Sequence, residues 1–210
     1  MSSASGSIKI LYEDDFLLAL DKPAGVPSCG EGSVEEKLGF KLVHRLDNNT
    51  SGILIAAKND VAFEKLRAIW KTPRVIKKYT ALVLGKTPES GIIDTPIAHH
   101  PRKKKKMMPG GKKSRPAQTH FKTLRHFKNY SLLELQITTG VRHQIRIHLA
   151  SIGHPIAGDK LYQKAKKHPM DTLDLKRHFL HLSAVELLHH RFHSPLPEDL
   201  KALFKRPEFA

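Results

Sequence analysis

The apolar positions in the first part of the chain predict a series of short strands. Residues 8–11 and 16–21 carry apolar runs of strand length, separated by an acidic turn. The segment 22–27 contains two prolines and a glycine, which break regular structure. The run 53–57 is continuously apolar, as is typical of a buried strand. The polar segment 43–52 is therefore predicted to lie at the entrance of that strand.

Two segments repeat apolar residues at helical spacing. Over residues 60–70 the repeat predicts an amphipathic helix, with Asn59 or Asp60 as its N-cap. Over residues 143–152 apolar side chains fall at i, i+4 and i+7, and the glycine at position 153 ends the pattern. The first of these helices is predicted to pack against a sheet.

The remaining apolar segments predict more strands and a closing helix. Residues 79–84, 117–127 and 131–138 are rich in β-branched and aromatic residues and are bounded by turn formers. Residues 179–188 fit a strand or a helix, and residues 197–204 fit a short helix with acidic residues in its first turn. This order predicts a large, mainly antiparallel sheet.

The charge of the chain narrows its possible partners. The 210 residues include 36 Lys and Arg against 20 Asp and Glu, for a formal net charge of +16. Such an excess favours a polyanion, with nucleic acid first and an anionic membrane second. No segment approaches the ~20 apolar residues of a membrane span, the first residues lack a signal peptide, and Cys29 is the only cysteine. We therefore expect a cytoplasmic protein that binds no membrane.

One strongly basic segment, residues 102–115, stands out. It contains eight Lys or Arg residues interleaved with methionine, proline and glycine, which predicts a mobile loop. A charge run of this kind is often only a solvated surface, but the net charge of the whole chain favours phosphate contacts. The lysines predicted to make them are Lys103, Lys104, Lys105, Lys106, Lys112 and Lys113.

A carboxylate and an arginine lie close together in the polar segment before the buried strand. One residue separates Arg45 from Asp47, and a carboxylate paired with arginine stays ionised. Taken alone, this pattern also fits a loop ion pair or an Asx-turn. The 14 histidines invite a metal site, but adjacent histidines point apart and no metal-binding spacing accompanies them. No metal is expected.

Five segments of the chain resemble the RluA-type pseudouridine synthases, in the order in which that family has them. HRLDNNTSGILIAAK at 44–58 resembles the catalytic motif, and LLALDKPAGVP at 17–27 is similar to the opening strand and KPxG loop. KKYTALVLG at 77–85 resembles the KxYxALVxG strand. TGVRHQIRIHLASIGHPIAGDKLY at 139–162 and FLHLSAVEL at 179–187 resemble the last two motifs.

The resemblance implies a fold and a set of roles. The fold is α+β, a single catalytic domain over residues 1–210 with a central, mostly antiparallel mixed sheet flanked by helices and loops. Asp47 would initiate the rearrangement of a target uridine, and Arg146 would pair with it, because a guanidinium can orient a carboxylate and keep it deprotonated. Tyr79 would stack on the flipped uracil near the C5 proton that must leave. Arg45 would position the RNA or the loop.

The implied reaction breaks the N1–C1′ bond of uridine, turns the uracil and joins C5 to C1′. The product has the same atoms as the substrate, so no metal, nucleotide or redox cofactor is expected. The base must be extruded from transfer or ribosomal RNA before it can react. Residue types leave open whether Asp47 attacks C1′, attacks C6 or removes a sugar proton.

The chain departs from the family pattern after Thr-Gly, where Val141 replaces the usual arginine and Arg142 follows it. The helix predicted over residues 143–152 would carry Arg142 and Arg146 on one face, and Arg142 is expected to contact RNA. Asp159 is expected to form a turn or to orient an arginine. The chain begins directly at the catalytic strands, so we expect no S4-type RNA-binding domain, and a monomer in a bacterial cytoplasm.

Two other functions fit parts of the sequence. A non-catalytic RNA-binding module on the same fold fits the charge equally well, but binding alone does not require an acidic residue facing phosphates. A metal-dependent nuclease requires clustered carboxylates, which the sequence lacks. The set of Asp47, Tyr79 and Arg146 therefore favours the isomerase.

Overall fold

The structure, a computed structural model, describes residues 8–163 and 171–209. The chain divides into two compact units. The first contains Met1–Val75 and Leu182–Pro195, and the second contains Ile76–His181 and Leu196–Ala210. The prediction of a single domain over the whole chain stays a prediction.

Strands make up most of the regular structure. In chain order they are β1 (Lys9–Glu13), β2 (Leu17–Lys22), β3 (Lys41–Leu42), β4 (Ser51–Ala57), β5 (Ile76–Leu84), β6 (Ser90–Asp94), β7 (Ile97–His99), β8 (Met107–Pro109), β9 (Gln118–His126), β10 (Tyr130–Ile137), β11 (Leu180–Leu187) and β12 (His190–His193). The α-helices are α1 (Val34–Leu38), α2 (Asp60–Trp70), α3 (Gln144–Ser151) and α4 (Glu198–Lys201). Two turns of 3₁₀-helix follow, at Ala202–Lys205 and Pro207–Phe209. In the part of the chain that the structure describes, no helix is long and apolar enough to cross a membrane.

The first unit is built on antiparallel pairs. β1 pairs with β2, β2 and β3 pair with β4, and β12 pairs with β11. All seven residues of β4 are buried, as its continuous apolar run predicts. The register places Lys22 opposite Gly52. The loop that leaves β2 therefore lies beside the loop that enters β4.

Helix α2 confirms the predicted helix over residues 60–70. The side chain of Asn59 accepts a hydrogen bond from the Ala62 N–H at 2.9 Å, so Asn59 is the N-cap. Ala62 and Leu66 form the buried side of the helix. The five-residue helix α1 has no predicted counterpart, because it is too short to show a helical repeat.

The second unit contains an antiparallel sheet in the order β5, β10, β9, β6. Burial alternates along the first part of β5, where Lys77 and Tyr79 are buried, and residues 81–84 are buried on both faces. In β10, Leu133, Leu135 and Ile137 alternate in the same way. The segment that fitted a strand or a helix is strand β11.

The basic segment is not the simple mobile loop that its charges predict. Its centre forms β8, which pairs with β7 in a two-stranded sheet. Met107 is only 3% exposed and packs in an apolar cluster with Ile97, Ala117, Val141, Ile147 and Tyr162. The prediction was wrong because one buried methionine anchors the chain between the exposed lysines. We call residues 97–115 the basic hairpin.

Helix α3 begins one residue later than predicted. His143 precedes it in the left-handed conformation, with φ of 57°. Arg142 lies outside the helix in a turn and is exposed, whereas Arg146 is buried within the helix. The prediction that both arginines share one helical face was therefore wrong.

Candidate active site

Asp47 lies in the loop that enters β4 and is half-buried. Its carbonyl oxygen accepts a hydrogen bond from the Thr50 N–H at 3.0 Å, which closes a turn over residues 47–50. Arg45, two residues earlier, is exposed. The carboxylate thus starts a tight turn, and the arginine lies where solvent or a ligand can reach it.

The residue before Asp47 is fixed by a buried serine. The Ser28 hydroxyl accepts from the Leu46 N–H and donates to the Leu46 carbonyl, both at 3.0 Å. Ser28 is buried, so water does not compete for these bonds. Both backbone groups of Leu46 are thereby held in place.

The residue after Asp47 is fixed by Lys22, which is fully buried. Its ammonium donates to the carbonyls of Pro23, Val26 and Asn48 at 2.8, 2.9 and 3.0 Å. The Gly25 N–H also donates to the Asn48 carbonyl, at 2.8 Å. Lys22 thus joins the KPxG loop to the Asp47 loop, and Asp47 is held between two braced neighbours.

His44 supports the start of the same loop. Its ring stacks on Trp70, with the ring centroids 3.8 Å apart and the planes 9° from parallel. Its Nε2 accepts from the Ile55 N–H at 3.3 Å. This stack links the loop to the end of α2.

Tyr79 lies in the second unit, on the buried side of β5, and is 8% exposed. Lys77 lies two residues earlier and is buried too, so the two side chains lie on the same face of the strand. Burial lowers the pKa of Lys77. The opposite face of the strand carries Lys78, which pairs with Glu134 of β10 at 3.4 Å.

Arg146 projects from α3 and forms a bidentate ion pair with Asp159. Its Nε donates to one carboxylate oxygen at 2.7 Å and a terminal nitrogen donates to the other at 2.9 Å. Burial alone would raise the pKa of Asp159, but the hydrogen bonds and charge of Arg146 outweigh it and hold the pKa below its usual value. Asp159 therefore orients an arginine, one of the two roles predicted for it.

Helix α3 is fixed to β9 by polar side chains. The Gln144 amide donates to the Gln118 carbonyl at 2.9 Å, and its oxygen accepts from the Thr139 hydroxyl at 2.9 Å. His148 lies 2.9 Å from both the Thr119 hydroxyl and the Thr95 carbonyl. Burial lowers the pKa of His148, which favours the neutral ring. These bonds give Arg146 a rigid support.

The lysines of the basic hairpin lie at the surface. Lys103, Lys104, Lys105, Lys112 and Lys113 are exposed, and Lys106 is half-buried. A cleft of about 580 Å³ is lined by Lys103, Lys104, Lys105, Lys106, Lys160, Leu161 and Gln163. We call it the lysine cleft. Five ammonium groups around one cleft form a site suited to phosphate groups.

The predicted site residues are distributed over both units. Asp47 and Arg45 belong to the first, and Tyr79, Arg142, Arg146 and the six lysines belong to the second. The ion pair between Asp47 and Arg146 stays a prediction. The sequence did not reveal that Ser28 and Lys22 brace Asp47, because their partners lie 18 and 26 residues away. Over residues 8–163 and 171–209, no three His, Cys, Asp or Glu residues are grouped as metal ligands.

The chain is similar to known RNA pseudouridine synthases. The sequence model described as RNA pseudouridylate synthase matches residues 16–151. An uncharacterized RNA pseudouridine synthase of Chloroflexus aurantiacus is 43% identical over 173 residues, covering 79% of this chain and 52% of that protein. Ribosomal large subunit pseudouridine synthase D of Nitrosomonas europaea is 39% identical over 228 residues, covering 94% of this chain and 64% of that protein. The chain thus spans about half to two thirds of the length of these relatives.

The solved structure of human RNA pseudouridylate synthase domain containing 1 is also similar. It has a TM-score of 0.82 and 25% identity, covering 96% of this chain and 90% of that one. A second human structure, RNA pseudouridylate synthase domain containing 4, has a TM-score of 0.79 and covers 93% of this chain and 91% of that one. The predicted α+β fold is confirmed.

Proposed function

Because the chain belongs to the RNA pseudouridylate synthase family, as its RluA-type motifs predict, we propose that it isomerises uridine to pseudouridine in ribosomal RNA. The observation that carries the proposal is the bracing of Asp47 on both sides by buried side chains. A module that only binds RNA has no need to fix a carboxylate, which repels phosphate groups. The choice of ribosomal RNA over transfer RNA follows the name of the Nitrosomonas relative.

In this proposal Asp47 reacts with the target uridine. Catalysis requires the reacting group to be held close to its productive position, and a loop residue is usually too free for this. The bonds of Ser28 to Leu46 and of Lys22 to Asn48 remove that freedom from the neighbours of Asp47. The carboxylate then meets the sugar or base without a cost for ordering its loop.

Arg146 keeps Asp47 ionised and oriented in this proposal. Asp159 already fixes its guanidinium plane through Nε and one terminal nitrogen. A guanidinium has five N–H donors, so Asp159 does not exhaust it. The double contact sets the direction in which the other donors point, which suits an arginine that must bind a second carboxylate.

In this proposal Tyr79 and the basic residues bind the RNA. The Tyr79 ring stacks on the extruded uracil, which offsets part of the few kcal/mol that unstacking the base costs. The exposed Arg45 and Arg142 and the lysines of the basic hairpin contact phosphate groups. The reaction is a rearrangement within one nucleotide, so the protein would act without a cofactor. We place it in the cytoplasm as a monomer.

The experiment is tritium release from RNA labelled at C5 of uridine, because the C5 proton leaves when pseudouridine forms. Unmodified large-subunit ribosomal RNA and a transfer RNA are compared as substrates. Wild type should release tritium from the ribosomal RNA, and Asp47→Asn should release none while its RNA affinity stays within about threefold. Release from transfer RNA alone would correct the substrate. Tight binding without release from either RNA would favour the non-catalytic binding module.

A further inference from the structure

Tyr162 connects the basic hairpin to the start of α3. Its hydroxyl accepts a hydrogen bond from the Met107 N–H at 2.9 Å and lies 2.8 Å from Nδ1 of His143. The side chain is 5% exposed, so both bonds are shielded from water. One phenol group therefore contacts the strand that follows the lysines and the residue that precedes α3.

The ring of Tyr162 also lies against two cations. The Arg146 Cζ is 5.2 Å from the ring centroid, and the Lys106 Nζ is 5.3 Å from it. Both distances lie within the range of cation–π attraction. Asp159, three residues before Tyr162, holds the same arginine by its ion pair, and its carbonyl accepts from the Tyr162 N–H at 3.2 Å. A single turn thus supplies both the carboxylate and the ring that fix Arg146.

We propose that Tyr162 is a positioning residue that couples the basic hairpin to Arg146, so that RNA phosphates bound in the lysine cleft help to hold Arg146 in its working orientation. This inference rests on the proposed function, in which Arg146 orients Asp47 and the hairpin lysines bind phosphate. It adds Tyr162 as a positioning residue and a link between phosphate binding and Arg146, and the proposed function requires neither.

A series of contacts leads from the lysine cleft through Tyr162 to Arg146. Lys106 lines the lysine cleft and also lies over the Tyr162 ring. The next residue, Met107, donates to the Tyr162 hydroxyl. Lys160 and Leu161, directly before Tyr162, line the same cleft. A phosphate that draws these lysines together therefore orders both chain segments that hold the ring, and through the ring it orders Arg146.

The coupling separates into two parts that different substitutions remove. Tyr162→Phe deletes the hydroxyl, and with it the bonds to Met107 and His143, but keeps the ring beside Arg146. Tyr162→Leu deletes both. The matched control is Tyr130→Phe, because Tyr130 is also buried in the second unit and its hydroxyl also accepts from a backbone N–H, that of Thr172 at 3.0 Å.

Two readouts are measured for each variant. The first is kcat and KM for tritium release, where Tyr162→Phe should lower kcat/KM roughly tenfold and Tyr162→Leu should lower kcat further. Tyr130→Phe should stay within about twofold of wild type, even if all three variants melt at lower temperature. The second is the NMR resonance of the Arg146 Nε–H, which donates to Asp159. In wild type and in Tyr130→Phe this resonance should shift when a short RNA is added, and in Tyr162→Phe the shift should be abolished.

The two readouts distinguish failure of the inference from failure of the proposed function. If wild type releases tritium but Tyr162→Phe matches Tyr130→Phe in kcat/KM and in the RNA-induced shift, the inference is wrong and the proposed function stands. If wild type releases no tritium, the proposed function is wrong. The resonance then decides the coupling by itself: a shift abolished only in the Tyr162 variants supports it, and a shift retained in them overturns it.

Discussion

Replacing Lys22 by methionine tests whether the Asp47 loop is braced as the structure indicates. Methionine keeps most of the aliphatic length of lysine and removes the ammonium. The ammonium donates to the carbonyls of Pro23, Val26 and Asn48, and the Asn48 carbonyl also accepts from the Gly25 N–H. The substitution therefore acts mainly on the carbonyls of Pro23 and Val26, from which it takes a charged donor.

The expected loss of stability follows from the partial burial of these two carbonyls. An acceptor left without its donor inside a protein costs about 1–3 kcal/mol, and relief from burying the ammonium offsets part of that cost. For two carbonyls that are partly buried we expect Lys22→Met to reduce the unfolding free energy by about 2–4 kcal/mol. The loosened Asp47 loop should also lower kcat about tenfold or more while RNA affinity changes little.

The assay is urea unfolding followed by the fluorescence of Trp70, the only tryptophan, which lies in the first unit with Lys22. The control is Lys41→Met, since Lys41 pairs with Asp60 at 2.7 Å but both side chains are exposed. An exposed pair of this kind contributes little to stability, because water screens both charges. If Lys22→Met is no less stable than Lys41→Met and its kcat equals that of wild type, the Lys22 ammonium does not brace the Asp47 loop.

Three further predictions concern the second unit. Because burial lowers the pKa of His148, the unfolded chain binds its proton below about pH 6.5 while the folded protein does not, so stability falls as the pH drops from about 7.5 to about 5. His148→Gln should lose less stability over that range in urea titrations, and an equal loss would contradict the shift. Changing lysines 103–105 to glutamine should lower the slope of log affinity for RNA against log salt by about 0.7–0.9 for each phosphate that the variant no longer neutralises. The matched control removes the same charge from three exposed lysines of the first unit, Lys37, Lys65 and Lys71. An equal change in slope for both triple variants would mean that only net charge matters. Gly158→Ala should destabilise strongly, because its Cβ would lie 2.2 Å from the Arg177 carbonyl, whereas Gly153→Ala, also at positive φ but with open space, should cost only about 1–2 kcal/mol. Similar destabilisation of the two variants, measured by thermal unfolding, would show that the backbone conformation alone decides.

Local signals in the sequence predicted the elements that local forces determine. Helix α2 was predicted over the residues that form it, since a polar cap precedes a clear apolar repeat. Strand β4 was predicted from a run that is buried throughout. In both cases the side chains that specify the element lie within it.

The predictions were wrong at two places where a single residue determines the local structure against the pattern around it. In the basic hairpin, eight cations predict a mobile loop, but Met107 inserts into an apolar cluster and pairs the segment with β7. At α3, the predicted helix includes His143, whose left-handed backbone delays the helix and separates Arg142 from Arg146. Periodicity averages over a window and does not detect one anchoring side chain or one unusual backbone angle.

Part of the candidate site was predictable and part was not. The motifs nominate Asp47, Tyr79 and Arg146, whose roles stay predictions, and the structure confirms that Asp159 orients an arginine. The bracing by Ser28 and Lys22 and the bonds of Tyr162 join residues distant in sequence, and they depend on which strands pair. Such interactions follow from the fold and have no signature in a single sequence.

The central claim is that this chain converts a uridine to pseudouridine by means of Asp47. The most direct test maps pseudouridines in the ribosomal RNA of the source cells by carbodiimide-dependent stops of reverse transcription, with and without the gene. We predict that deletion removes at least one discrete stop, which wild type restores and Asp47→Asn does not. An unchanged map after deletion, or restoration of the stop by Asp47→Asn, would contradict the account.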